Sequence, residues 1–331
     1  MLGTGLKWQE EDYKKKEKMK ILLVAAQKKN ETFSPFVIEQ EKALKQEGTE
    51  IIRYAHTAHG IGNYMKCVPK LHKAIKYIKP DVIHAHFGLT GLLAGLAAIG
   101  TRVPVVVTYH GCDINDKKLR PFSRMAMWLA AWNIFVSKQQ MVNACGTEKR
   151  VRRFKKGSII PCGIDTKLFD RYCVNNEWFD EKFPEGNKIL FAGSFESYVK
   201  NPALAKEAVR NLENVQLIEL RGYTRSQVVT LMYRCKALLL TSIREGSPQV
   251  IKEAMACGCP IVSVDVGDVA ERIEGVKGCY VVVSREPKDI ALALEKAMAN
   301  DRTKGREKLL ADRLDNEQVA KRIIEIYNKV L

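Results

Sequence analysis

The chain reads as two doubly wound α/β domains in series. Three features point there. Short β-branched runs alternate with helical stretches along nearly the whole sequence, the alternation breaks once at an irregular stretch over 166–187, and 331 residues at 46% hydrophobic suffice for two separate cores.

In the first half, strands are predicted over 21–26, 50–55, 82–85, 103–109, 134–137 and 158–161, and helices over 35–46, 68–78, 89–99 and 122–131. Residues 1–18, rich in lysine and glutamate, read as a disordered extension, and 19–166 as the first domain. In 167–315 strands are predicted over 188–192, 215–220, 237–242, 260–265 and 280–284, with helices over 202–212, 225–235, 248–257, 269–273 and 289–298. The closing helix, 316–331, carries Val319, Ile323, Ile324, Tyr327 and Val330 at helical spacing. Open parallel sheets of this kind hold ligands at the carboxyl ends of their strands.

No apolar run reaches the roughly 18–20 residues needed to cross a bilayer. The stretch 87–100 lacks charge but stops short and reads as a buried helix. No signal-peptide core is present near the start, so a cytoplasmic location is expected. Nine cysteines lie scattered without Cys-x-x-Cys pairing and read as small buried hydrophobes, so neither a disulfide framework nor a metal site is expected.

Charge is uneven. Residues 1–166 hold 28 Lys and Arg against 14 Asp and Glu, whereas 167–331 hold 26 against 24. Lys117, Lys118, Arg120 and Arg124 lie beside Phe122, Trp128 and Trp132, and a second basic run spans 149–156. Such a face suits peripheral contact with an anionic membrane surface, although solvated basic faces are common. No nucleic-acid recognition motif accompanies the charge, so nucleic acid is not expected as a partner.

The most informative segment runs from Arg244 to Pro260. Ser247 and Pro248 suit an N-cap and first helical position, and Gly258 followed by Pro260 suits a stop. The helix so defined offers free amides and a positive dipole end to an anion at Gly246, Ser247, Gln249 and Val250, with Glu245 at its mouth and Glu253 inside it. A carboxylate at Glu253 can accept two hydrogen bonds from a ribose diol. Upstream, Gly193 and Ser194 form a loop after a strand. Lys200 then precedes Asn201 and Pro202, which read as another cap and first helical residue, so this cation is predicted near a second positive helix end. In the first half, a buried strand ends in His110-Gly111-Cys112-Asp113, after Asp81-Val82-Ile83-His84-Ala85-His86. A strand-terminal histidine can orient a sugar hydroxyl.

The string Glu-Gly-Ser-Pro, then Glu-Ala-Met-Ala-Cys-Gly, then Pro-Ile-Val resembles the Glu-x7-Glu signature of retaining GT-B glycosyltransferases, specifically family four (glycosyl transferases group 1). The resemblance covers most of 19–331. It implies two Rossmann-like domains about a cleft, with the last helix returning to the first domain. It further implies that Glu245 binds the transferred sugar, Glu253 the ribose of a UDP- or GDP-sugar and Lys200 its diphosphate, without a metal or other cofactor. His110 would face the sugar, with Gly111 and Asp113 in an acceptor-side loop, and the acceptor would be a sugar or lipid-linked sugar. The turn Pro161-Cys162-Gly163-Ile164-Asp165 resembles the family's interdomain marker, with cysteine where asparagine is usual. The family's arginine after the glycine is replaced by Ser194, leaving Arg221 or Arg244 to supply charge. A GT-B sugar-nucleotide epimerase or a non-catalytic basic adaptor for membrane or polymer would share parts of this pattern.

Overall fold

The computed structural model describes residues 18–27, 33–57 and 61–331. Positions 1–17 of the expected N-terminal extension lie outside the described residues. The front lobe comprises β1 (Lys20–Ala26), α1 (Pro35–Gln46), β2 (Glu50–His56), α2 (Ile61–Ile78), β3 (Val82–His86), α3 (Gly88–Ala98), β4 (Val105–Tyr109), α4 (Cys112–Asn115), α5 (Arg120–Leu129), β5 (Trp132–Phe135), α6 (Lys138–Cys145), α7 (Glu148–Arg153) and β6 (Gly157–Ile159). The rear lobe follows with α8 (Asn176–Lys182), β7 (Asn187–Phe191), α9 (Pro202–Val209), β8 (Val215–Glu219), α10 (Arg225–Arg234), β9 (Ala237–Leu240), α11 (Gln249–Ala256), β10 (Ile261–Val264), α12 (Val269–Ile273), β11 (Cys279–Val282), α13 (Pro287–Met298) and α14 (Gly305–Ala311). A final helix, α15 (Asn316–Val330), closes the chain. Among the described residues no helix is long and apolar enough to cross a membrane.

Both sheets are parallel throughout, in the orders β2-β1-β3-β4-β5-β6 and β11-β10-β9-β7-β8. Parallel neighbours need crossover helices, which cover both faces and make the central strands apolar along their length. β4 shows this directly, with Val105, Val106, Val107, Thr108 and Tyr109 all buried.

The uncharged stretch 87–100 becomes α3, whose glycines have a packing role. A Cβ on Gly91 would sit 2.6 Å from Val107 Cγ1, and one on Gly95 would sit 2.8 Å from Leu129 Cβ. Bare backbone on this face lets α3 lie tightly against β4 and α5.

α15 packs on the front lobe, across the sheet face that α1 also covers. Val319, Ala320, Ile323, Ile326 and Tyr327 join Ile21, Val82, Val106 and Ile134 in one buried cluster. The start of α15 is pinned to the interlobe turn, where Ile164 N donates to the Leu314 carbonyl and Asn316 N to the Ile164 carbonyl, both near 3 Å. The two chain crossings between lobes therefore lie side by side.

The structure differs from the sequence reading in several elements. The stretch 166–187, expected to be irregular, contains α8 and a short 3-10 turn at Arg171–Cys173. Asn175 supplies the missed start signal, since its side chain accepts from Trp178 N. α2 begins at Ile61 instead of 68 and holds Pro69 in its interior. Of the nine cysteines only Cys235, Cys257 and Cys259 are buried, while Cys112 is exposed.

Replacing Ile323 by alanine removes a fully buried side chain from the α15 interface and is expected to cost about 2–5 kcal/mol. Urea unfolding monitored by circular dichroism checks this, and an unchanged midpoint would show that α15 contributes little to the front lobe.

Candidate functional site

The carboxyl ends of both sheets converge where the lobes meet. In the rear sheet the strand order reverses between β7 and β9, the crevice where open α/β sheets bind ligands. The loop after β7 delivers Lys200 and the loop after β9 delivers Glu245 into that crevice. Lys200 Nζ donates to Glu245 Oε1 at 2.6 Å, and Ser242 Oγ donates to the same oxygen at 2.7 Å. Both ion-pair side chains retain some exposure, 28% and 16%. Gly193 makes room for this geometry, because a Cβ there would lie 2.6 Å from Lys200 Cγ.

Glu253, one helix further in, is 8% exposed and receives Arg225 NH1 at 2.6 Å. The other arm of Arg225 reaches Glu39 on α1 of the front lobe at 2.7 Å, and its guanidinium lies 4.8 Å from the Phe169 ring centroid. One cation thus neutralises two carboxylates from different lobes. Burial pushes the Glu39 carboxyl above its usual range, and the Arg225 charge opposes that shift. Neither Arg225 nor Glu39 was singled out from sequence. Arg225 sits in a predicted helix start and Glu39 in an amphipathic helix, where charged residues are ordinarily solvated.

The lobes also meet through glycine. A Cβ on Gly246 would lie 2.9 Å from Gly111 Cα and 3.0 Å from the His110 carbonyl oxygen. Beside this contact, Asn115 Nδ2 donates to the Glu245 carbonyl at 3.1 Å. Asp113 shapes the Gly111 loop, accepting from the backbone of Gly88 at 3.0 Å, Gly111 at 2.9 Å and His110 at 3.2 Å. Burial raises its carboxyl to about 6 despite those amides. Gly111 has a φ of +127°, which only glycine adopts readily.

His110, half-buried, ends a row of imidazoles whose other members, His84 and His86, are buried. His84 pairs with Tyr327 Oη at 2.6 Å and Thr108 Oγ1 at 2.8 Å, its ring stacks on His86, and His86 Nδ1 lies 2.9 Å from His110 Nε2. The remaining nitrogen of His110, Nδ1, has a long contact of 3.6 Å with Cys162 Sγ, and the rings of Phe36 and Phe87 cover it. Burial holds all three imidazoles below their usual range, His86 at about 3.

Two expected caps are corrected. Ser247 is not the N-cap of α11: the helix starts at Gln249 with Pro248 as the capping residue, and the Ser247 hydroxyl donates to Asp268 Oδ2 at 2.8 Å. Asn201 does precede α9 with Pro202 in the first turn, but in a left-handed conformation whose side chain makes no cap. Gln249 Nε2 donates to the Gly163 carbonyl at 2.6 Å, so its side chain is tied to the interlobe turn, while Val250 stays half-buried against the rear core. Its neighbour Lys252, missed from sequence, is fully buried and donates to the Cys162 carbonyl at 2.8 Å. Burial lowers its pKa. Where the sequence lacks an arginine at Ser194, Arg221, which is ion-paired with Glu196, brings NH1 within 3.4 Å of the Ser194 hydroxyl.

Two facing Rossmann-like lobes make up the GT-B architecture. The chain belongs to glycosyltransferase family 4: a model of that family matches residues 32–168 and the glycosyl transferases group 1 model matches 178–300. Among curated proteins it is similar to the UDP-Gal:α-D-GlcNAc-diphosphoundecaprenol α-1,3-galactosyltransferase of Escherichia coli, 24% identical over 241 residues, 60% of this chain and 61% of that protein. The match spans less than two thirds of the length of the first such relatives. Among solved structures it resembles the sucrose-phosphate synthase of Thermosynechococcus elongatus, with a TM-score of 0.78 at 16% identity over 95% of this chain and 99% of that one. It also resembles Anabaena HepE in complex with UDP, with a TM-score of 0.72 at 17% identity over 94% and 100%.

The histidines held neutral make an acid-side prediction. His84, His86, His110 and His56, the last at about 4, have folded pKa values below the ordinary 6.5. Unfolding therefore takes up protons, and their contribution to stability is complete above pH 6.5 and lost as pH falls toward 3. Each contributes up to about 1.4 kcal/mol per pH unit. Asp113, raised to about 6, opposes them with a single proton below that pH. The urea midpoint should drop between pH 7 and pH 5, and a flat profile would show that these rings protonate in the folded state.

Proposed function

We propose that the protein is a retaining glycosyltransferase that moves a sugar from a nucleotide diphosphate sugar to an acceptor hydroxyl, within polysaccharide or glycolipid synthesis. The observation that carries this reading is the convergence of Lys200 and Glu245 at the switch point, with Glu253 buried at the next turns of α11. The diphosphate would lie on Lys200 and the amides of Gln249 and Val250, the first-turn donors that a helix leaves without intrahelical acceptors. The ribose diol would meet Glu253. Because Lys200 and Ser242 both converge on Oε1, the second oxygen of Glu245 would accept from the transferred sugar. His110 would join that clamp through Nδ1 by exchanging its long thiol contact for a hydroxyl.

In the transfer step the acceptor oxygen bonds to the anomeric carbon as the bond from that carbon to the phosphate oxygen breaks. The acceptor proton passes to the departing phosphate on the same face of the sugar, and configuration is kept. Charge on the leaving diphosphate is met by Lys200 and the helix amides, so the step as proposed uses no metal.

The structural relative with UDP bound and the curated relative named for UDP-galactose support a UDP-sugar donor here. That relative's diphosphoundecaprenol acceptor supports a lipid-linked acceptor, which accords with an anionic membrane as partner of the front lobe. There Trp128 is 81% exposed on α5 among basic residues.

Glu245→Gln is expected to lower kcat at least a hundredfold with UDP affinity kept within a few fold, whereas Glu253→Ala is expected chiefly to raise the donor KM. Steady-state assays with calorimetric UDP titration check both. Full turnover by the Glu245 variant would remove the sugar-binding role.

A further inference from the structure

Arg225 opens α10, at the end of a helix where a cation is least favoured, because the first-turn amides already present positive charge there. Its backbone is fixed by a capping box. Thr224 Oγ1 accepts from Gln227 N at 3.3 Å, and Gln227 Oε1 accepts from Thr224 N at 3.0 Å. Two carboxylates offset the unfavourable charge: NH1 donates to Glu253 Oε1 at 2.6 Å and NH2 to Glu39 Oε1 at 2.7 Å. The Phe169 ring covers the guanidinium. Among the described residues no acceptor meets the buried Nε, and no donor meets Glu253 Oε2. The guanidinium is a rigid planar fork, so the partner of one arm fixes where the other arm points.

We propose that Glu39, a residue of the front lobe, is a positioning residue for the nucleotide's ribose: by holding one arm of Arg225 it keeps the second oxygen of Glu253 open to the diol. The inference rests on the ribose reading of Glu253. An arginine offered a single carboxylate tends to fork onto both of its oxygens. Glu39 occupies the NH2 arm, so Arg225 meets Glu253 through NH1 and one oxygen only. Without Glu39 both arms close on Glu253, and the ribose has to displace a charged donor from Oε2. Nucleotide affinity in the rear lobe therefore depends on a side chain of α1, and the ribose contact is complete only while the Glu39 bridge between the lobes is intact.

Calorimetric titration of the full chain with UDP and with 2′,3′-dideoxy-UDP, which lacks the diol, tests this, with the guanosine pair titrated in parallel. The unmodified protein should prefer the ribose form by about tenfold or more, since a site built to bond a hydroxyl rejects the analogue without it. Glu39→Met removes the acceptor for NH2 at similar volume. It should cut that preference by about fivefold or more, with affinity for the dideoxy form unchanged within about twofold. Glu39→Gln keeps a neutral acceptor and should fall between, and it carries the test if the methionine variant fails to fold. A bridge that only packs the lobes together would weaken both nucleotides alike. Glu253→Ala separates the two claims. If it erases the preference while both Glu39 variants keep it, or lose affinity for both nucleotides equally, the ribose reading stands and the role of Glu39 is overturned. A preference that survives Glu253→Ala, or no nucleotide binding by the unmodified protein, removes the ribose reading and the role of Glu39 with it.

Discussion

The two lobes meet backbone against backbone at Gly246 and Gly111, and the geometry of the site depends on that contact. Gly246 faces Gly111 and the His110 carbonyl with no room for a methyl group between them. A side chain at Gly246 would push the Glu245 loop away from the front lobe, and one at Gly111 would be strained by its φ of +127°. Asp113 holds the opposing loop by collecting three backbone amides, and Asn115 anchors the Glu245 carbonyl from the same loop. The contact brings the carboxyl ends of two independent sheets to a common edge, which neither lobe provides alone.

Around this contact the charges are arranged in mutually compensating sets. Lys200 and Glu245 satisfy each other at the crevice, and Arg225 holds Glu253 and Glu39 together. An unpaired buried carboxylate is costly, and these partners balance the charge of Glu245 and Glu253 and fix their orientation. Glu39 adds a coupling between lobes, because the carboxylate proposed for the ribose shares its cation with α1 of the opposite lobe. Lys252 and Gln249 tie α11 to the interlobe turn through the Cys162 and Gly163 carbonyls. α11 therefore bears on the rear core, the crevice and the crossing between lobes at once.

Much of this was legible in the sequence because central strands buried on both faces are largely apolar, as β4 and β9 are, and the alternation of short β-rich runs with helices located the other strands of the described residues. Short helices such as α6, α7 and α14 escaped because a few residues give little periodicity to read. At the site, residues inside one segment were readable together, as with Glu245 and Glu253 about α11. The partners brought in by folding were not. Glu39 and Arg225 are 186 positions apart and His84 and Tyr327 243 apart, and nothing local in either pair marks the other. Ser247 was misread for a related reason: its hydroxyl donates to Asp268, 21 positions away, which only the fold places beside it.

The most direct test of a nucleotide seat between the lobes is hydrogen exchange of the full chain with and without a saturating UDP-sugar. A donor held by Lys200, the start of α11 and Glu253 predicts new protection concentrated in 193–201 and 246–253, with a smaller effect in 110–113 across the cleft. Protection confined to other segments, or none at ligand concentrations that raise the melting temperature, would contradict it.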